Sequence, residues 1–192
     1  MKLILASASP RRQELLTQVG LNFEVFPSTI EEKIDATLPP EKIVQQLSYS
    51  KAKDVASQAL QDCIVIGADT VVAYKNNILG KPKNNQEAYK MLKMLSGNVH
   101  HVITGFTIIR TSDDKAITSF EKTLVEFNDL SDSEIDRYIS IGEFEDKAGA
   151  YGIQGVGSLL VNKIEGDYFN VVGLPLSKVV TTLNREFGIR VL

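Results

Sequence analysis

The apolar positions along this chain switch repeatedly between a run or period-two spacing and a period near 3.6, so strands and helices can be laid out directly. Residues 2–6 (Lys-Leu-Ile-Leu-Ala) predict a short buried strand. Ser9 then stands as an N-cap with Pro10 at the first helical position. The helix it opens has Leu15, Leu16 and Val19 as its apolar face and ends at Gly20. Residues 23–26 predict a second strand. Pro39-Pro40 introduces a long helix to about residue 60, with Ile43, Val44, Leu47, Val55 and Ala59 along one side.

Residues 63–68 (Cys-Ile-Val-Ile-Gly-Ala) have the apolar character of a central strand, which leads through Asp69-Thr70 into residues 71–74. Asn76-Asn77 suits a hairpin turn into Ile78-Leu79. A helix over residues 85–96 is closed by Gly97. Residues 99–110 and 116–127 predict a long hairpin around Ser112-Asp113-Asp114. Ser131 and Glu134 form a capping box for a helix to about residue 141. A glycine-rich stretch, 149–157, precedes a strand at 159–164, and a last helix runs over 176–187 after Pro175. Helices and strands alternate early and antiparallel strands enter later, so the expected fold is a mixed α/β sheet.

Composition narrows the function more than the fold. At 192 residues the chain suits a single domain spanning 1–192, with 43% apolar residues for its core. A net charge of −3 argues against a nucleic-acid polymer as partner. No run approaches the roughly 18 apolar residues of a membrane span, so no membrane partner is expected. Residues 1–6 carry one Lys and four apolar residues after it, the pattern of a first strand rather than a signal peptide. The single Cys63 excludes an internal disulfide and suits a reducing, cytoplasmic location.

Several places can carry chemistry. At the first strand-to-helix junction, Ser7-Ala8-Ser9-Pro10-Arg11-Arg12, free backbone amides and the positive end of the helix dipole suit phosphate. Two arginines in that first turn run against the dipole, which a solvated turn or an anion site explains. Asp69 follows an apolar strand and is expected at its C-terminal edge, where α/β sheets place their sites, although such an Asp is also a common turn residue. Thr70 beside it is either a plain strand residue or a hydroxyl donor.

Lys51 lies four residues from both Leu47 and Val55, so it projects from the apolar face, either snorkelling or reaching a phosphate. Lys81, in Gly80-Lys81-Pro82, has the same two readings. In residues 146–155, glycines at 149, 152 and 155 permit close backbone approach to a ligand. Gln154 there has the donor and acceptor needed to read a base edge. Glu31-Glu32 is either an exposed acidic pair or, together with Asp69, a holder of Mg²⁺.

Familiar alternatives are missing: no Gly-x-x-x-x-Gly-Lys-Ser/Thr loop, no Gly-x-Gly-x-x-Gly after a strand, no Gly-x-Ser-x-Gly elbow. The adjacent His100 and His101 point to opposite faces of a strand, one packed or at an edge and one solvated. Cys63 lies in an apolar run and is expected to be packed.

Taken together, Ser7 to Arg12, Glu31-Glu32, Lys51-Ala52-Lys53, Gly67-Ala68-Asp69-Thr70, Gly80-Lys81-Pro82, Leu95-Ser96-Gly97, 146–155 and Val172-Gly173-Leu174-Pro175 resemble the Maf family of nucleotide pyrophosphatases. The resemblance runs over nearly the whole chain in the family's order. It implies a mixed α/β fold with an elongated sheet and a deep two-lobed cleft, similar to the inosine triphosphate pyrophosphatases. It also implies hydrolysis of a nucleoside triphosphate to monophosphate and pyrophosphate with Mg²⁺, or with Mn²⁺ or Co²⁺, and a homodimer. By the resemblance, Asp69 matches the proton acceptor, and Ser7, Arg12, Lys51 and Lys81 match phosphate-handling residues. Glu32, with Asp69, matches the metal-linked carboxylates. Arg11, Thr70 and Gln154 match the subgroup acting on dTTP and UTP.

Two rivals stand beside it. A covalent aspartyl phosphatase shares Asp69-x-Val71 but has Gly67 where its nucleophile should be. A nucleotide-binding regulator of cell division or septum formation would bind the same substrate without turnover.

Overall fold

The computed structural model describes residues 1–32, 35, 37–75 and 77–191. Among these, six helices and seven strands form in the expected alternation. They are β1 (Lys2–Leu5), α1 (Pro10–Gln18), β2 (Glu24–Val25), α2 (Pro40–Ser57), β3 (Cys63–Tyr74), β4 (Asn77–Leu79), α3 (Asn85–Leu95), β5 (Val99–Arg110), β6 (Lys115–Phe127), α4 (Asp132–Ile141), β7 (Val161–Glu165), α5 (Tyr168–Val172) and α6 (Leu176–Phe187). Hydrogen bonding orders the strands β2-β1-β3-β5-β6-β7, with β4 on β3. The β1/β2 and β1/β3 pairs are parallel, and the β3/β4 and β6/β7 pairs are antiparallel. The fold is therefore mixed α/β. Among the described residues, no helix is long and apolar enough to cross a membrane.

The chain forms two compact units. The first comprises residues 1–69, 104–121 and 173–192, and the second comprises 70–103 and 122–172. In the first, α2 covers β1 and β3 through Ala6, Ala52, Val55, Cys63 and Val65, all 2% exposed or less. Two glycines let that helix lie close. A Cβ on Gly67 would fall 2.5 Å from the Ser48 carbonyl oxygen, and one on Gly105 would fall 2.3 Å from that of Val44. A chain of hydroxyls running from the buried Ser48 and Thr107 to the half-buried Thr118 adds polar adhesion, with Ser48 Oγ 3.0 Å from Thr107 Oγ1 and the latter 2.9 Å from Thr118 Oγ1. In the second unit, α3 and α4 pack on a core that includes Leu92, Leu95, Phe127, Ile135 and Tyr138. The Ser131–Glu134 capping box is formed.

Several expectations need correction. Residues 63–74 are one continuous strand, so Asp69 sits within it rather than at its end. The apolar positions simply continue through Asp69-Thr70, and the backbone follows them. Residues 155–160 form a 3₁₀ turn, and the last strand starts at Val161, not at 159. The apolar Leu159 that suggested strand is 72% exposed. Ser9 occupies the N-cap position of α1, but its side chain makes no capping hydrogen bond. The α2 helix ends at Ser57, leaving Leu60 fully exposed beyond it. The short α5 gave no periodic signal at five residues. Asn76 of the expected hairpin turn lies outside the described residues, and Asn77 already belongs to β4.

Candidate active site

The parallel β1/β3 ladder runs from Lys2 opposite Cys63 to Leu5 opposite Ile66, and Ala6 N donates to the Ile66 carbonyl at 2.8 Å. Beyond that point the two strands part. The first turns into α1 and the second continues past its β1 partner through Ala68 and Asp69. Polar groups of both segments thus face the carboxyl end of the parallel ladder, the place where open α/β sheets gather ligands. Asp69 lies inside a strand yet just past the end of its parallel pairing.

Arg12 ties this end together. Its Nε donates to the Gly173 carbonyl at 2.8 Å, and its Nη1 donates to the Ala68 carbonyl at 2.9 Å and to Ser7 Oγ at 3.1 Å. Ser7 is buried, and its Oγ also accepts from Ser9 N at 3.3 Å. Proline at residue 10 presets the first turn, which places Arg12 on the inner side of α1. Burial lowers the Arg12 pKa from its ordinary value, the neighbouring Arg11 adds to this, and the charges of Asp69 and Glu32 oppose it. A guanidinium stays protonated under such pressure.

Lys51 supplies the second cation. It rises from the face of α2 that Gly67 draws down on β3, and its side chain is only 13% exposed. Its Nζ lies 2.6 Å from Asp69 Oδ1 and 2.7 Å from Glu32 Oε1, so one ammonium holds two carboxylates. Burial raises the Asp69 pKa above the ordinary carboxylate value. Lys51 and Arg12 pull it back, and the Glu32 charge pushes it further up. The result is a buried carboxylate held close to two cations but still more basic than one in water.

Among the described residues, no group of three or more His, Cys, Asp or Glu gathers as a metal site. The donor set is the Glu32–Asp69 pair alone, converging on a single cation. That suits Mg²⁺, which takes one or two carboxylates and completes its octahedron with water and substrate phosphate.

The first unit therefore brings Ser7, Arg12, Glu32, Lys51 and Asp69 together, and Arg11 lies close enough to Arg12 for its charge to be felt. Thr70, Lys81 and Gln154 belong to the second unit. Thr70 follows Asp69 directly in β3 and is half-buried. The Gly80 carbonyl accepts from Gly149 N at 3.0 Å, and the exposed Lys81 Nζ lies 3.9 Å from Asp146 Oδ1. Gln154 is exposed on the segment that follows.

Sequence reasoning assigned no role to Gly173, Gly67 or Ser48. Gly173 acts through its carbonyl, which no side-chain pattern signals. Ser48 does leave a trace, as a polar residue next to Leu47 on the buried side of α2, where its hydroxyl finds Thr107.

Residues 2–186 match the model of the family described as Maf-like protein. A dTTP/UTP pyrophosphatase of Alkaliphilus oremlandii is 59% identical over 191 residues, covering 100% of this chain and 99% of the relative. One of a Thermoanaerobacter species is 55% identical over 192 residues, covering all of both chains. Among solved structures, a HAM1 protein from Coxiella burnetii superposes with a TM-score of 0.55 at 14% identity, covering 96% of this chain and 98% of the other, a likeness of fold.

Proposed function

The chain belongs to the Maf family, and from that premise we propose that it is a nucleoside triphosphate pyrophosphatase. It hydrolyses dTTP and UTP to the monophosphate and pyrophosphate. The observation that carries this reading is the buried Asp69 carboxylate held at 2.6 Å by Lys51, beside Arg12, at the carboxyl end of the parallel ladder. Relatives over half identical along their full length bear the same activity in their names.

The chemistry follows from the charges. A triphosphate brings about four negative charges, and the whole protein is acidic, so cations must be concentrated locally. Ser7, Arg12, Lys51 and Lys81 receive the phosphates. Asp69 takes a proton from a water that attacks the α-phosphorus. As the new P–O bond forms, the bond between the α-phosphorus and the α,β-bridging oxygen breaks, and pyrophosphate leaves with that oxygen. A base with a raised pKa accepts that proton more readily than an ordinary carboxylate. Lys51 is drawn from the carboxylates towards the phosphates when the substrate arrives. Glu32 and Asp69 would hold a divalent cation, Mg²⁺ or in its place Mn²⁺ or Co²⁺, which would supply charge neutralisation and orientation of the phosphates. Arg11, Thr70 and Gln154 select the pyrimidine base.

The reading extends to a cytoplasmic homodimer. The single buried thiol of Cys63 suits a reducing compartment, and dimerisation follows from the resemblance alone.

The test is a panel of single nucleoside triphosphates with Mg²⁺, in which pyrophosphate and monophosphate are measured. Equimolar products from dTTP and UTP, abolished by a chelator and restored by Mg²⁺, support the proposal. Preference for a purine overturns the base assignment. Tight binding with no pyrophosphate favours the regulator of division.

A further inference from the structure

The segment that carries Gln154 is held at several points, all within the second unit. Gly149, at φ +70°, lies so close to Val72 that a Cβ would fall 2.9 Å from that side chain, and its amide donates to the Gly80 carbonyl. The Tyr151 hydroxyl is 2.7 Å from His100 Nε2, and both rings stand edge-on to Phe127. Gly152 N donates to the Tyr138 hydroxyl at 3.4 Å. Each of these contacts lies before Gln154 in the chain.

After Gln154 the anchor is Glu143. Its Oε1 accepts from Val156 N at 3.4 Å and its Oε2 from Gly157 N at 3.3 Å, one carboxylate oxygen for each amide. Gly155, at φ +61°, passes so near that a Cβ there would fall 2.8 Å from Glu143 Oε1. The carboxylate is aimed by the end of α4, where Gly142 turns the chain in the left-handed region at φ +81° and releases the next residue towards this segment. Ile153 and Gly157 are buried on either side, so Gln154 is left exposed on a backbone fixed from both directions.

We propose that Glu143 is a positioning residue for substrate selection: by holding the Val156 and Gly157 amides it sets the Gln154 carboxamide in the orientation that discriminates the base. This rests on the reading of Gln154 as base-contacting. The physical need is clear. A carboxamide discriminates only when its donor and acceptor are both in register with the base edge, and a misplacement of about 1 Å costs on the order of a hundredfold. The short 3₁₀ turn of residues 155–160 has little stability of its own, so the carboxylate provides what the turn lacks.

The experiment compares Glu143→Ala and Glu143→Gln with the parent, using dTTP, UTP, CTP and GTP. Glu143→Ala is expected to raise KM for dTTP about tenfold while kcat falls much less, and to cut the preference for dTTP over GTP by a similar factor. Glu143→Gln, which keeps an acceptor of the same reach, recovers part of both. Hydrogen exchange at the Val156 and Gly157 amides should quicken in Glu143→Ala. Parent-like KM and selectivity in Glu143→Ala overturn the proposal, whether or not those amides exchange faster. An equal fall of kcat and kcat/KM for all four nucleotides also overturns it, because that marks general damage. Gln154→Ala separates the two levels: if it keeps parent selectivity, the reading of Gln154 itself fails. If it loses selectivity while Glu143→Ala does not, only the role of Glu143 fails.

Discussion

Lys51 Nζ stands 2.6 Å from Asp69 Oδ1 although the two residues come from different elements, the middle of α2 and the interior of β3. The pair exists because α2 lies almost on the backbone of β3. It links the packing of the first unit to the chemistry proposed for it.

Replacing Asp69 by Asn separates charge from shape. As general base, Asp69 should contribute about 10²–10⁴ in rate, so Asp69→Asn is expected to lose turnover by that factor. Stability should move the other way. The folded pKa of Asp69 is raised, so the group favours folding below the ordinary carboxylate range and loses that contribution as pH rises through the raised value. At pH 7.5 without nucleotide the variant should melt no lower than the parent, Lys51 keeping Glu32 as a partner at 2.7 Å. Thermal melts with steady-state kinetics check both halves.

Gly67→Ala tests the close approach. The new Cβ would meet the Ser48 carbonyl oxygen at 2.5 Å and Ala52 N at 2.7 Å, both backbone atoms that yield only if α2 moves. A loss of about 1–3 kcal/mol in a urea titration is expected. Activity should drop as well, because Lys51 rides on the same turn of α2. Full activity in a folded variant would show that the helix distance is not what sets the pair.

Arg12→Lys should behave as a severe change. A guanidinium reaches Gly173, Ala68 and Ser7 from one planar fork, which an ammonium cannot reproduce. A hydrogen bond from a charged donor is worth about 1.5–3 kcal/mol. The variant is therefore expected to lose at least that much stability and to fall in kcat/KM for dTTP. Parent-like melting would show the three contacts to be dispensable.

His100 predicts an acid sensitivity. It is buried, and desolvation lowers its pKa from 6.5 to about 4. The unfolded chain protonates this histidine below pH 6.5 while the folded chain resists, so stability from this group is present above 6.5. It is lost progressively as pH falls towards 4, by about 3 kcal/mol in all. His100→Gln, which can still reach the Tyr151 hydroxyl, should flatten that part of the stability–pH curve. Denaturant midpoints at pH 7 and pH 4.5 measure the difference between variant and parent.

Much of the fold was legible in the chain itself, for local reasons. Pro10, Gly20, the Ser131–Glu134 box and Pro175 mark helix ends through backbone geometry, and these signals do not depend on distant contacts. The apolar run at residues 63–68 and the hairpin signal around Ser112-Asp113-Asp114 located β3, β5 and β6 and made the class mixed α/β. The 155–160 segment misled because an apolar run does not say which backbone it adopts.

For the site, residue types and order named Ser7, Arg12, Glu32, Lys51 and Asp69, but only the tertiary structure decided their relations. That one ammonium bridges two carboxylates depends on how near α2 lies to β3 and its neighbour β5, which the missing Cβ atoms of Gly67 and Gly105 and the Ser48–Thr107 hydroxyl contact control. That Asp69 is buried, with a raised pKa, depends on the strand continuing past its parallel partner. Glu143 stayed hidden for the same reason: its partners are backbone amides thirteen and fourteen residues away. Sequence determines which groups exist and which local turns form. Distances between segments, and hence electrostatics, come from packing.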